Sequence, residues 1–151
     1  MASRVPELID ALVAACRAAP ALADVAVADG PELSESNPAE WLMIGFDGDP
    51  DSNFQAAQSV GGWASLVNSD REEQLQVTCA VFASRGDTDV RAARARAYEI
   101  AGVLEQLLRA DPSVGLPSLE VAIEATQLAQ PQMELGVQAQ LVLTVAGRAF
   151  T

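Results

Sequence analysis

The segment from Gln74 to Asp111 constrains this chain most. Leu75, Val77, Cys79, Val81 and Ala83 alternate with Gln74, Gln76, Thr78 and Ser84. Apolar residues at every second position predict a strand with one face buried and the other in water. After a polar turn, Arg85-Gly86-Asp87, the period changes to that of a helix over Thr88 to Ala110, with Asp87 or Asp89 as its cap. Val90, Ala93, Ala97, Ile100, Ala101, Leu104, Leu107 and Leu108 form the apolar face. Its early alanines predict close approach to a sheet. Asp111-Pro112 ends it. This strand and helix are the unit onto which the rest is expected to pack.

The flanking segments repeat the two periods. Ser3 is placed to cap a helix over Arg4–Ala18, with Pro6 in its first turn and a stripe of Val5, Leu8, Ile9, Leu12, Val13 and Cys16. Short strands are predicted over Ala23–Ala28 and Trp41–Phe46, the second apolar on both faces and so central or covered on both sides. Asp29-Gly30-Pro31 is a turn, Glu32 to Glu40 a loop, and Gly61-Gly62 a bend or bulge. No Gly-Lys-Ser/Thr follows those glycines, so they form no phosphate loop. Ser118–Thr126 places Leu119, Val121, Ile123 and Ala125 on one face. Glu134–Phe150 alternates for far longer than an ordinary strand. The two predict a C-terminal hairpin whose last strand projects past its own domain and offers an edge for a neighbouring subunit to cover. The expected fold is α+β: one domain over residues 1–151, a mostly antiparallel sheet of about four to six strands, two helices on one face and the long hairpin.

Charge narrows function. The chain of 151 residues has 21 acids, 9 bases and a net charge of -12; all nine bases are arginine, and histidine is absent. Without lysine-rich patches such a chain is a poor sequence-independent binder of nucleic acid. Without histidine, Ser-His and Cys-His nucleophiles are impossible, while acid–base chemistry by Asp or Glu stays open. Cys16 and Cys79 fall on apolar faces, which predicts buried thiols, paired only if those faces meet closely. Neither a secretory leader nor a membrane-length apolar run is evident, so a protein made in a cytoplasm, with no membrane contact, is expected.

Two charged groups stand out. Nine acids and no base lie between Arg17 and Arg71. Among them Asp47, Asp49 and Asp51 have the spacing that opens a calcium loop. Ser52 stands where that loop needs Gly, and Gln58 where it needs a bidentate Glu. The reading is an acidic turn without metal, facing solvent, a basic partner or a channel that DNA must traverse. Arg91, Arg94 and Arg96, with Arg85, gather at the front of the long helix. The helix dipole disfavours cations there, so these side chains require acidic partners, within the chain or on a neighbouring subunit.

The order of helix, strands, acidic loops, strand, long helix and two long strands resembles the tail terminator (tail completion) family of long-tailed bacteriophages. The resemblance runs through Val5–Ala18, Trp41–Phe46, Leu75–Ala110, Leu119–Thr126 and Leu135–Ala149. It implies a structural virion protein of the tail and neck, without catalysis or cofactor, assembled in the host bacterial cytoplasm. Such proteins form a homohexameric ring on the last ring of tail tube protein, stop polymerisation and meet the head-tail connector protein. DNA would be passing cargo only, with no specific nucleic-acid binding. Six copies at -12 each carry -72, a wall that repels phosphate. On this reading some of Asp47, Asp49 and Asp51 face the channel or a partner ring, and Arg91, Arg94 and Arg96 lie near subunit contacts. Three alternatives remain open: another neck or head-completion connector protein, a non-phage cytosolic α+β binding module with an apolar pocket, and an enzyme using carboxylates.

Overall fold

The computed structural model describes residues 3–31, 38–53, 55–65, 67, 70–86, 89–133 and 136–151. The elements are α1 (Val5–Ala18), β1 (Ala26–Asp29), β2 (Glu40–Ile44), β3 (Ala57–Trp63), β4 (Arg71–Arg85), α2 (Val90–Ala110), β5 (Leu119–Ala129), β6 (Gln132–Met133) and β7 (Gly136–Phe150). One sheet runs in the order β1-β2-β4-β7-β5; β3 also pairs with β4, and the two-residue β6 with β7. Every pairing is antiparallel except β1–β2. The fold is α+β, with both helices on one face of a mostly antiparallel sheet. Apart from the two-residue β6, the sheet has six strands among the described residues, within the expected range.

The spine is β4 against β7, paired from Glu72↔Phe150 to Arg85↔Val137. Odd-numbered residues of both strands face the helices. Leu75, Val77, Cys79 and Val81 on β4 and Leu141, Leu143 and Val145 on β7 are fully buried there against Leu8, Leu12 and Cys16 of α1 and Ala97, Ile100 and Leu104 of α2. Each such aliphatic side chain contributes about 1.5–3 kcal/mol by leaving water, so this face dominates stability. Ala93 and Ala97 bring α2 close to the sheet, as their size predicts. Asp89 accepts a hydrogen bond from the Ala92 amide (3.0 Å), so it caps α2; Asp87 lies outside the described residues. Helix α1 departs from expectation. Its cap residue is Arg4, and the Ser3 hydroxyl accepts from the Val5 amide (3.2 Å) in a local turn.

Four strand expectations change. β4 begins at Arg71, three residues before the apolar alternation, because the β3–β4 hairpin extends the ladder through Trp63↔Arg71. Gly61 and Gly62 form neither bend nor bulge; they pair regularly with Glu73 and Glu72 inside β3. A bulge lies instead in β5 between Ile123 and Ala125. It moves Ala125 off the helix-facing side and gives that side to Thr126 and Leu128, since one extra residue reverses a strand's alternation. Finally, β7 does not project past the sheet. β4 lines its whole length on one side, and β5 and β6 occupy the other. Equal 15-residue lengths of β4 and β7 absorb the strand whose length had suggested a projection. β3 and β5 are edge strands, as is the four-residue β1 at the end of the sheet.

Candidate assembly surfaces

The sheet face opposite the helices is open at one end and covered at the other. The cover is the segment after β2. Gly48, at φ +85°, sits so close to the sheet that a Cβ there would lie 2.7 Å from Phe82 Cζ and 3.4 Å from Ala80 Cβ. This is why Ala80 and Phe82, at even-numbered positions of β4, are buried. They interrupt the polar set Gln74, Gln76, Thr78 and Ser84, and that interruption was the sequence signal for a covering loop.

The cover contains the acidic turn. Asp47 Oδ1 accepts from the Asp49 amide (2.9 Å) and the Ser52 hydroxyl (3.0 Å), and Asp49 Oδ1 accepts from the Asp51 amide (2.9 Å). These are two successive Asx turns, in which a carboxylate folds back onto the backbone two residues on. The carboxylates of Asp47 and Asp49 thereby order the loop. Among the described residues no cluster has the composition of a metal site. Asp47 is half-buried, while Asp49 and Asp51 are exposed on the side of the molecule away from the helices.

The structure separates the three arginines. Arg96 Nε donates to Glu40 Oε2 at 2.5 Å and Nη1 to Glu99 Oε1 at 2.8 Å. Both partners of the first pair are largely buried, with side chains 20% and 17% exposed. Its guanidinium pKa is raised above the ordinary value, chiefly by the hydrogen bond to Glu40. Arg96 thus ties α2 to β2 inside the chain. Arg94 is exposed and reaches the Gln130 side-chain oxygen (3.3 Å), while Gln130 Nε2 donates to the Val90 carbonyl (2.9 Å). Arg91 is exposed and forms no ion pair with any described residue.

At its uncovered end the open face is a trough of ≈ 540 Å³ crossed by β3, β4, β7 and β5. One row across it reads Val60, Gln74, Arg148, Glu120; the next reads Gln58, Gln76, Ala146, Ala122. Arg148 bonds Glu120 (2.9 Å) and lies 3.7 Å from Glu72. The trough is thus lined by Gln58, Gln74 and Gln76 among small and apolar residues, with Glu124 and the paired Arg148 as its charges. β3 borders it and is exposed along nearly its full length, with Val60 and Trp63 each 60% exposed. Trp63 carries Arg71 over its ring, 4.5 Å from the centroid.

Sequence reasoning passed over one buried group. Glu73 is fully buried on the helix-facing side, where its Oε1 accepts the Arg4 amide at 2.7 Å. The start of α1 favours a carboxylate, through both its unpaired amides and its dipole. Arg4 in turn donates to the carbonyls of Pro117 and Phe150 and pairs with Glu7. This clasp joins the first helix, the end of β7 and the start of β5. The signal was present, since Glu73 continues the alternation of Leu75 and Val77 on the buried face.

Cys16 and Cys79 are both free and buried. Burial pushes Cys16 up to about 11 and Cys79 up to about 12, so neither is a nucleophile at neutral pH. No protein-family model matches the chain, and no curated protein is significantly similar to it in sequence.

Proposed function

We propose that this chain is a structural ring-forming protein that caps the end of a phage tail tube, stops its polymerisation and forms the joint to the head connector. The observation that carries this reading is the shape of the sheet: four long antiparallel strands with helices on one side only and unpaired edges on both flanks. A unit with two unlike free edges is suited to head-to-tail repetition, and rotation closes such repetition into a ring. The charge agrees. The acidic turn shares the side away from the helices with the trough, whose single arginine is already paired with Glu120, so this surface has little to hold a phosphate backbone. In this role the chain is not an enzyme and needs no cofactor. Its partners are copies of itself as a homohexamer, the tail tube protein and the head-tail connector protein, with DNA passing through. It would be located in the virion neck after assembly in the bacterial cytoplasm. Asp49 and Asp51 would face the channel or the adjoining ring, with Asp47 holding their loop. Arg91 and Arg94 would supply the cationic side of subunit contacts, with Arg96 bracing their helix.

Light scattering of the purified protein tests this directly, alone and with added tail tube protein, across concentration and salt. A hexamer in either setting is expected. A monomer that neither self-associates nor binds tube protein would refute the reading.

A further inference from the structure

We infer that copies of this chain join edge to edge, the free edge of β3 in one copy pairing antiparallel with the free edge of β5 in the next. The inference rests on the ring reading above and names its seam. It starts from which backbone groups each edge has unused. The Thr78 amide bonds the Ala56 carbonyl, and the Ala64 amide bonds the Asp70 carbonyl. Antiparallel pairing alternates, so Gln58, Val60 and Gly62 also bond β4, while Ser59, Gly61 and Trp63 point their amides and carbonyls outward. On the other flank, the Phe150 amide bonds the Ser118 carbonyl, which turns the even-numbered residues of β7 toward β5. Ala125 and Gln127 therefore bond β7, and Thr126 and Leu128 point outward. Nearer the start of β5, the Val121 amide is already taken by the Pro112 carbonyl. Among the described residues nothing comparable covers Ser59–Trp63 or Thr126–Leu128.

Strand direction and charge choose the occupant. β3, β4, β7 and β5 alternate in direction, so β3 and β5 run opposite ways. Rotation about an axis along the strands preserves direction, so β5 of one copy meets β3 of the next antiparallel, the more stable ladder. β5 carries Glu120 and Glu124 and is bulged, which opposes pairing with its own copy. β3, Ala57-Gln-Ser-Val-Gly-Gly-Trp63, has no charge and opposes nothing. The third edge, β1, is only four residues long, and Arg17 already donates to its Val27 carbonyl (3.2 Å).

Proline at an outward amide removes a seam donor without touching the internal ladder. Ser59→Pro blocks β3 and Thr126→Pro blocks β5. Each variant, checked for folding by circular dichroism, is sized by light scattering alone, mixed 1:1, and with tail tube protein. Each is expected to be monomeric alone, and the mixture to stop at a 1:1 heterodimer, because one intact edge of each kind remains. A Thr126→Pro homodimer would show β3 pairing with β3 and overturn the inference. A wild-type ring that both variants still form would overturn the seam and leave the ring standing. No multimer of the wild type in any setting would remove both. Should a proline variant fail to fold, Ser59→Cys protein mixed with Ile123→Cys, Thr126→Cys or Leu128→Cys protein is oxidised. At least one mixture is expected to give a disulfide heterodimer, and none from any would also overturn the seam.

Discussion

Gly147 is the position at which the strand packing is most open to test. It lies on β7 opposite Val121, and a Cβ built there would sit 1.9 Å from the Glu120 carbonyl oxygen, 2.7 Å from Val121 Cα and 2.8 Å from Val121 Cγ1. Two of the three obstacles are backbone, so no rotamer change relieves them. A carbon–oxygen contact needs about 3.3 Å, so β5 must move by roughly 1.4 Å. That displacement strains the ladder from Glu120 to Ala122. Losing one or two ladder hydrogen bonds costs about 0.5–1.5 kcal/mol each, and overpacking adds about 1–3 kcal/mol. Gly147→Ala is therefore expected to lose about 3 kcal/mol, and its Tm to fall by about 6–12 °C at about 2–4 °C per kcal/mol. Gly62→Ala is the control. It is also a strand glycine, but nothing lies within 4 Å of its added Cβ and its φ is not positive. It is expected to be neutral or to gain up to about 1 kcal/mol, because alanine restricts the unfolded chain. Urea unfolding of both variants at one fixed protein concentration gives the comparison, since association would shift each midpoint. A Gly147→Ala protein within about 0.5 kcal/mol of wild type would refute the close approach of β5 to β7 at Gly147.

Charge changes on α2 should divide by position. Arg96→Ala leaves the largely buried Glu40 without its cation and is expected to cost about 1.5–3 kcal/mol in urea unfolding. Arg91→Glu with Arg94→Glu should change stability by less than about 0.5 kcal/mol while reducing ring mass in light scattering; unchanged mass would remove both residues from the subunit contact. Glu73→Gln keeps an acceptor for the Arg4 amide and should stay near wild type, whereas Glu73→Ala should lose about 1–3 kcal/mol in the same assay. The thiols set an alkaline limit. Their folded values, about 11 for Cys16 and about 12 for Cys79, are raised above the ordinary 9.0, so the stabilisation is complete below pH 9 and is lost as pH rises from there toward 11–12. The urea midpoint should begin to fall above pH 9 and fall less in the Cys16→Ala, Cys79→Ala double variant. A thiol reagent at pH 8 should label native protein far more slowly than unfolded protein; equal rates would refute the burial.

The readable part of this fold was its faces. Period 2 over Leu75–Ala83 and period 3.6 over Ala93–Leu108 report which side of an element is dry, and the structure buries those sides, leaving only Val90, at the front of the helix, exposed. What periodicity cannot report is which strand lies on each edge, because that depends on pairing across distant segments. β7 looked like a projecting strand from its length alone, yet β4 and β5 enclose it. β3 shows no alternation because it buries almost nothing, and its glycines, which in the sequence suggest a bend or bulge, pair in a regular ladder with β4. The same limit applied to the candidate residues. Three arginines at helical spacing look alike in the sequence, but Glu40 reaches only Arg96, and that contact comes from β2, 56 positions away in the chain.

Faces and edges therefore divide the work between fold and assembly. Odd-numbered positions of β4 and β7 are committed to the helices, and their apolar burial holds the protomer together. The outward amides of Ser59 and Gly61 and of Thr126 and Leu128 contribute nothing to that core. A protomer built this way is stable without its edges, so its edges are free to change state. Joining can then depend on concentration or on a template such as the end of a tube, with no refolding of the protomer. If the proposed seam is right, Ser59→Pro should keep the wild-type Tm measured under monomeric conditions while losing assembly. A large fall in that monomeric Tm would mean that the β3 edge belongs to the fold and not to the ring.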